Sequence, residues 1–211
     1  MTASCERSTR WARPDYQGSG IVNLMASLIA ARGGVSTGYA ALDGFDTASL
    51  AEARNVVLLV IDGLGYQYLT RSEAALSLQR HLLARLTSVF PSTTAAAIPT
   101  FLTGLAPQQH GLTGWHMLFR EIGTVAAVLP FRPRHGGPSL RDSGVTPKDL
   151  LQLAPVFDRL PEATWVIAPE RIVHSDFNMA ASGRARRVGY RTLDELCACL
   201  LEASGAAGRK F

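Results

Sequence analysis

The chain has 211 residues, of which 47% are hydrophobic and 18% charged, with a formal net charge of +4; this is the composition of a soluble globular protein with one sizeable core. The charge is mild and the basic residues are scattered, apart from Arg184, Arg186 and Arg187, so a nucleic-acid-binding surface is not indicated. The longest apolar run, residues 56–61, is far shorter than the roughly 20 residues that a membrane-spanning helix needs.

The chain begins without an export signal. Residues 1–20 contain several charges and Pro14, but no apolar segment of the kind found in signal peptides. We therefore expect a cytoplasmic protein.

The first half of the chain alternates between helix and strand patterns. Residues 20–34 have the 3.6-residue apolar period of an amphipathic helix, ended by Gly33 and Gly34. Residues 56–61 are an unbroken apolar run that predicts a strand buried on both faces. A helix of about five turns is predicted over residues 66–86, followed by a strand over 85–90 and a further helix after the turn at Ser92.

The second half is less regular. Residues 115–141 predict a cap or lid with a strand at 124–129, residues 149–161 two short helical turns broken at Pro155, residues 164–169 a core strand, and residues 191–204 a last helix. The order of elements predicts a single α/β domain over residues 1–211, with ligands at the carboxyl ends of the strands.

The three cysteines, Cys5, Cys197 and Cys199, cannot form an even disulfide framework. Cys197 and Cys199 are two residues apart in the last predicted helix, so their side chains point to different faces. We expect buried apolar thiols rather than a metal-binding pair.

Two places carry residues suited to chemistry. Asp62 follows the apolar run and precedes Gly63 and Gly65, so it either faces an open site or caps the next helix. Ser92, Thr93 and Thr94 stand where a strand turns into a helix, where a hydroxyl either binds an anion at the helix N-terminus or caps the helix. The patterns G-x-G-x-x-G, G-x-x-x-x-G-K-[ST] and G-x-S-x-G are absent.

These residues belong to an ordered set of motifs. Asp62-Gly63 is followed by Phe90-Pro91 through Thr94, by Thr103-Gly104, and by Pro107 through His110-Gly111. The set resembles the alkaline phosphatase superfamily, and within it the nucleotide pyrophosphatase/type I phosphodiesterase group. The resemblance implies a three-layer α/β/α sandwich with a mostly parallel sheet, incomplete at its C-terminus.

The resemblance also implies a function. It describes a metal-dependent hydrolase of small-molecule phosphate esters or nucleotides, with two divalent metal ions, Zn²⁺ in this family, and a phospho-threonine intermediate. Thr94 would be the nucleophile and a metal contact, and Asp62 a metal ligand. His110 would shape its loop without binding metal.

The sequence departs from the family pattern in two ways. The family has an Asn five residues after the motif His, where this chain has Trp115, which we take as a candidate substrate-binding residue. The family also takes further metal ligands from Asp-x-x-x-His and Asp-His motifs, yet none of the nine Asp residues has a His one or four positions later. His174 and Asp176 are expected to border a loop.

Three hypotheses follow from the missing ligand motifs. The chain is the N-terminal part of a longer phosphodiesterase or pyrophosphatase, a catalytically inactive remnant, or a phosphomonoesterase or mutase of the same superfamily. A sheet that stops early would leave an unpaired hydrophobic edge, which predicts self-association.

Overall fold

The computed structural model describes residues 12–211. The helices are, in chain order, α1 (Ile21–Ala31), α2 (Thr47–Glu52), α3 (Tyr66–Arg71), α4 (Leu76–Gln79), α5 (Thr94–Thr103), α6 (Pro107–His110), α7 (Pro147–Leu150), α8 (Val156–Arg159), α9 (Glu170–Val173), α10 (Asp176–Ala181) and α11 (Leu193–Gly205). The strands are β1 (His116–Phe119), β2 (Thr124–Ala127), β3 (Arg132–Pro133), β4 (Trp165–Pro169) and β5 (Arg186–Tyr190).

The strands form two separate sheets. β1, β2 and β3 make an antiparallel sheet in that order, and β4 pairs with β5 in parallel, from Trp165 opposite Arg186 to Pro169 opposite Tyr190. The predicted α/β class is confirmed. A mostly parallel sheet in a three-layer sandwich is not what residues 12–211 show, since β4 and β5 are their only parallel ladder.

Helix α1 confirms the first helical prediction. Its apolar face buries Val22, Met25 and Ile29 completely or almost so, and Gly33 ends it in the left-handed region with φ 69°, which only glycine adopts without strain. The helix packs with α8 and Val56 in one core cluster. A second cluster lies between β1, β2 and α10.

The prediction of a buried strand over residues 56–61 is wrong. Asn55 forms a single parallel bridge to Lys210, and the residues after it join no ladder within residues 12–211. Val57 and Leu59 are 60% and 59% exposed. The apolar run therefore has strand character in its sequence without a partner strand along its length.

The predicted long helix over residues 66–86 is also wrong. It breaks at Ser72, which is extended and ends α3, and a 3-10 turn at Glu73–Ala75 leads into α4. The Gln79 side-chain amide donates to the Leu69 and Ser72 carbonyls at 2.6 and 2.9 Å, which stabilises the break. Residues 85–90 likewise form no strand, and Thr87 makes one bridge to Gly20.

The later elements agree better with the sequence. α7 and α8 are the two helical turns separated by Pro155, and α11 is the last helix. β4 is the predicted strand, but its five residues are half-buried rather than in the core. The region predicted as a cap, residues 115–141, holds the antiparallel sheet.

The thiols differ from the prediction, because Cys197 is exposed and Cys199 half-buried. Cys5 lies outside the described residues. Within residues 12–211, none of the helices is long and apolar enough to cross a membrane.

Candidate functional site

The structure brings Asp62 and Thr94 together across 32 positions of sequence. The Thr94 hydroxyl donates to Asp62 Oδ2 at 3.2 Å. Asp62 is exposed and Thr94 half-buried, so the pair can be reached from solvent. Of the two alternatives for Asp62, helix capping does not hold, because α3 starts from Gly65 without a side-chain cap.

The three hydroxyls of the turn before α5 have different surroundings. Thr93 is the N-cap of α5, and its side chain accepts the Ala95 N–H at 3.3 Å. Thr94 is the first helical residue and reaches Asp62. Ser92 is exposed. The capping alternative is therefore realised by Thr93, while anion binding at this turn stays a prediction.

Small residues follow both Asp62 and Thr94 in the sequence. Gly63 follows Asp62 in the left-handed region with φ 84°, and a Cβ atom there would meet nothing within 4 Å. Ala95 and Ala96 are fully buried, and Ala96 packs with Val22 and Val89. The alanines thus seat the start of α5 in the core while the Asp62 side remains open.

The other motif residues support this geometry from behind. Thr103 closes α5 by donating to the Pro99 carbonyl at 2.7 Å, and Gly104 follows with φ 67°. Pro107 begins α6 and Gly111 ends it with φ 76°. These residues shape the turns that connect α5 to the antiparallel sheet.

His110 is buried within this connection. Its Nδ1 accepts the Leu112 N–H at 3.1 Å, so the proton of the neutral ring lies on Nε2, which is 3.3 Å from the Thr100 hydroxyl. Burial lowers the pKa of His110 to about 4, so the ring is neutral near pH 7. Both ring nitrogens are engaged, which agrees with a loop-shaping residue rather than a metal ligand.

The spacing and number of the possible ligand atoms indicate how well this site could hold a metal ion. Two oxygen ligands of one tetrahedral zinc, each about 2.0–2.2 Å from the ion, lie somewhat over 3 Å apart, and the Thr94–Asp62 pair has this spacing. Among residues 12–211, however, no group of three His, Cys, Asp or Glu side chains could hold a metal ion. The described residues supply two donors and do not form a two-metal centre by themselves.

Two other sequence candidates lie elsewhere. Trp115 is 44% exposed just before β1, where its carbonyl accepts the Val128 N–H at 2.9 Å. Asp176 begins α10 and binds the Ser139 hydroxyl at 2.7 Å and Arg141 at 3.0 Å. The Ser139 hydrogen bond, with the Arg141 guanidinium, lowers the pKa of Asp176, so this carboxylate anchors a loop, as expected.

A cavity that sequence reasoning missed lies directly beside the pair. It has a volume of about 330 Å³ and is bordered by Asp62, by the apolar run before it, and by β4 and α11. Trp115 is not among the described residues that line it. The one sequence signal for this cavity was the apolar run itself, whose side chains required burial.

Comparison with known proteins gives one match. A family model described as type I phosphodiesterase / nucleotide pyrophosphatase matches residues 56–182, which is more than half of the 211 residues. No curated protein and no solved structure matches the chain. The matched range starts at the apolar run and includes Asp62, Thr94 and Trp115.

Proposed function

Because the chain belongs to the type I phosphodiesterase/nucleotide pyrophosphatase family, we propose that it hydrolyses phosphate esters with Thr94 as the nucleophile. The observation that carries this proposal is the 3.2 Å hydrogen bond from Thr94 to Asp62. Among the hydroxyls of the turn, Thr94 alone combines a carboxylate partner with the N-terminus of a ten-residue helix.

The proposed reaction has two steps. Thr94 gives up its hydroxyl proton to solvent and Oγ1 attacks the phosphorus atom. The bond to the leaving oxygen breaks, that oxygen takes up a proton as the alcohol departs, and a phospho-threonine remains. Water then attacks this intermediate, and the bond between Thr94 Oγ1 and phosphorus breaks to release the product. Asp62 orients the hydroxyl through its hydrogen bond, and the positive end of the α5 dipole favours the phosphoryl oxygens.

The proposed cofactors are two divalent metal ions, Zn²⁺ in this family. Within residues 12–211 we assign Asp62 and Thr94 to them as ligands, and the donors that would complete the site are not found there. The proposal therefore assigns residues but derives no step through the metals.

The proposed substrate is a small-molecule phosphodiester or nucleotide, met in the cytoplasm. Trp115 is exposed enough for a base or aryl group to stack on it. Replacing it would change the Michaelis constant for such substrates more than the turnover number.

A second candidate is a catalytically inactive member of the family. The observation that favours it is that residues 12–211 contain no group of three His, Cys, Asp or Glu side chains that could hold a metal ion. Such a chain would retain the Thr94–Asp62 contact without turnover.

The deciding experiment combines zinc content with turnover of a bis-aryl phosphate. We expect Thr94→Ala to lose activity by roughly a thousandfold or more, since it removes the nucleophile, and Asp62→Ala to lower bound zinc. Ser92→Ala is the matched control, because Ser92 is an exposed hydroxyl of the same turn. Acid quenching during turnover, followed by mass spectrometry, would find the phosphoryl group on the Thr94 peptide.

The outcomes separate the two candidates. A phosphoryl group on Thr94 establishes the nucleophile whatever the metal content. Turnover that survives Thr94→Ala would refute the proposed role of Thr94. Zinc-free protein with no turnover in any variant would establish the inactive candidate.

A further inference from the structure

The segment that precedes α1 lies beside the chain that leads to Thr94. We call residues 88–93 the Thr94 turn. The Thr87 N–H donates to the Ser19 carbonyl at 2.9 Å, and the Ile21 N–H donates to the Thr87 carbonyl at 3.0 Å. The chain is therefore fixed at Thr87, seven residues before Thr94.

Within the Thr94 turn the backbone is held by a tyrosine hydroxyl. The Phe90 N–H donates to the Tyr16 hydroxyl oxygen at 3.1 Å. Among the hydrogen bonds within residues 12–211, this is the one that joins the Thr94 turn to a distant part of the chain. The Phe90 side chain is 71% exposed, so its ring does not anchor the turn. The position of this backbone therefore depends on the buried Val89 side chain and on the Tyr16 hydroxyl.

Tyr16 is itself held at its backbone and at its ring. The buried Asn23 side chain donates to the Tyr16 carbonyl at 3.1 Å and accepts the Gly20 N–H at 3.0 Å. The Tyr16 ring stands edge-on to Tyr39, with the ring centroids 6.3 Å apart, and the Tyr39 hydroxyl donates to Gln109 at 2.6 Å. A side chain fixed in this way presents its hydroxyl in one place.

One apolar cluster contacts the chain on both sides of Thr94. Its buried members include Val89 and Ala96, which are 1% and 0% exposed, and Tyr16 packs against it. Between these fixed points the Thr94 hydroxyl meets Asp62 at 3.2 Å. A displacement of about 1 Å in a reacting group can cost about a hundredfold in rate. The placement of this short segment therefore matters for the chemistry.

We propose that Tyr16 is a positioning residue, whose hydroxyl holds the Thr94 turn through the Phe90 N–H so that Thr94 Oγ1 stays against Asp62. This role rests on the proposed function of Thr94 as the nucleophile. Tyr16 acts through the backbone of the turn and needs no contact with the substrate. Its hydroxyl therefore supports the rate of attack rather than the affinity for substrate.

A kinetic comparison tests this role on the full chain. Tyr16→Phe removes the hydroxyl and keeps the ring against Tyr39. We expect the turnover number for a bis-aryl phosphate to fall by about ten- to a hundredfold, with the Michaelis constant changed by less than about twofold. Tyr39→Phe is the matched control, because it removes a hydroxyl of the same cluster that binds Gln109 instead of the turn. It should keep both constants.

A second measurement does not depend on turnover. The methyl resonance of Thr94, assigned by its loss in Thr94→Val, reports the surroundings of the nucleophile. Tyr16→Phe should displace this resonance, and Tyr39→Phe should not. Asp62→Ala should also displace it, but by less than about half as much in the Tyr16→Phe background, because the contact is already weakened there.

A second variant removes the donor of the same hydrogen bond. Phenyllactic acid at position 90 turns the amide of that residue into an ester, which lacks the N–H and leaves Tyr16 intact. It should lower the turnover number and displace the Thr94 resonance as Tyr16→Phe does. Should Tyr16→Phe fail to fold, this variant tests the proposal alone.

Three results would overturn the proposal. A lower melting temperature of Tyr16→Phe with an unmoved Thr94 resonance and unchanged turnover would make Tyr16 a structural residue only. Equal effects of Tyr16→Phe and Tyr39→Phe would assign the effect to packing of the cluster. A raised Michaelis constant with an unchanged turnover number would place Tyr16 in substrate binding.

The two measurements keep this proposal separate from the proposed function. A wild-type chain without turnover would count against Thr94 as a nucleophile. The Thr94 resonance would then decide by itself whether Tyr16 holds Thr94 against Asp62: displacement in Tyr16→Phe alone supports the role, and an unmoved resonance refutes it.

Discussion

At the scale of single residues, position decides what each member of a motif does. Thr93 and Thr94 are identical neighbours, yet Thr93 has extended backbone and caps α5, while Thr94 starts the helix and contacts Asp62. The sequence could place both at a helix N-terminus. It could not assign the cap, because capping depends on which residue is the last with extended backbone.

Gly104 shows a structural role for a motif glycine. It ends α5 with φ 67°, and a Cβ atom would come within 2.8 Å of Ile29 Cδ1 and 2.9 Å of Thr37 Cγ2. Gly123 has φ 60° with nothing within 4 Å. We expect Gly123→Ala to cost about 1 kcal/mol from the backbone alone and Gly104→Ala clearly more, measured by chemical denaturation. Equal costs would show that the contacts at Gly104 are unimportant.

At the scale of elements, sequence patterns succeeded where an element meets its partners within the chain. α1 and α5 form as predicted with buried apolar sides, β4 forms with β5 as its parallel partner, and α11 forms although Ala203 is its one buried residue. The run of residues 56–61 has equal strand propensity, but within residues 12–211 it has no strand partner beyond Lys210, and most of its side chains are exposed. The helix pattern over 66–86 fails because side-chain hydrogen bonds at Ser72 and Leu69 stabilise a break that periodicity does not register.

His110, the last residue of α6, should make the free energy of unfolding depend on pH. The pKa of His110 is lowered to about 4 in the folded chain, against 6.5 for an unperturbed histidine. Between these values the unfolded chain binds a proton that the folded chain does not, so the free energy of unfolding falls as the pH falls from about 6.5 towards 4. Above pH 6.5 this contribution is fully present. Because solvent partly screens the ring, we expect the free energy of unfolding to fall by about 2 kcal/mol over this range.

Denaturation midpoints from pH 7.5 to 4 would measure this effect. His110→Gln should remove that part of the slope, whereas His81→Gln, at an exposed position, should retain it. An unchanged slope in His110→Gln would mean that other groups cause the dependence.

At the scale of the whole molecule, one buried ion pair joins distant parts of the chain. Arg32, at the end of α1, binds Glu162 with both Nε and Nη2 at 2.6 Å, and the exposures of the two side chains are 0% and 8%. The same guanidinium donates to the Ala53 carbonyl at 2.6 Å and to the Lys210 carbonyl at 3.3 Å. It therefore joins the segment that leads into the apolar run to Lys210, which bridges to Asn55.

Removing Arg32 alone should strongly destabilise the folded chain. Arg32→Met leaves the buried Glu162 with Arg209 Nε, 3.8 Å away, as its remaining ion-pair partner, and we expect a loss of about 3 kcal/mol in unfolding free energy. The exposed pair of Arg191 and Glu170, with exposures of 72% and 50%, is the control, and Arg191→Met should destabilise the protein far less, because solvent screens the pair. Similar losses in both variants, measured by urea titration, would contradict the structural role of Arg32.

The exposed edge predicts self-association. Residues 57–61 present apolar side chains and a backbone edge with no ladder partner among the described residues, and such edges pair between molecules. We expect concentration-dependent association in analytical ultracentrifugation, reduced by Val57→Lys with Leu59→Lys. A monomer at all concentrations would refute the prediction.

By itself the sequence determined the α/β class, the family and the identity of Asp62 and Thr94 as candidate residues, because helix periodicity, cap chemistry and motif order are local properties. Only the tertiary structure decided that Thr94 rather than Thr93 meets Asp62, that His110 is neutral and buried, and that residues 56–61 border a groove instead of a sheet interior. These outcomes depend on which groups meet across long sequence separations and on whether a strand finds a partner on each side, and neither can be read from a local pattern.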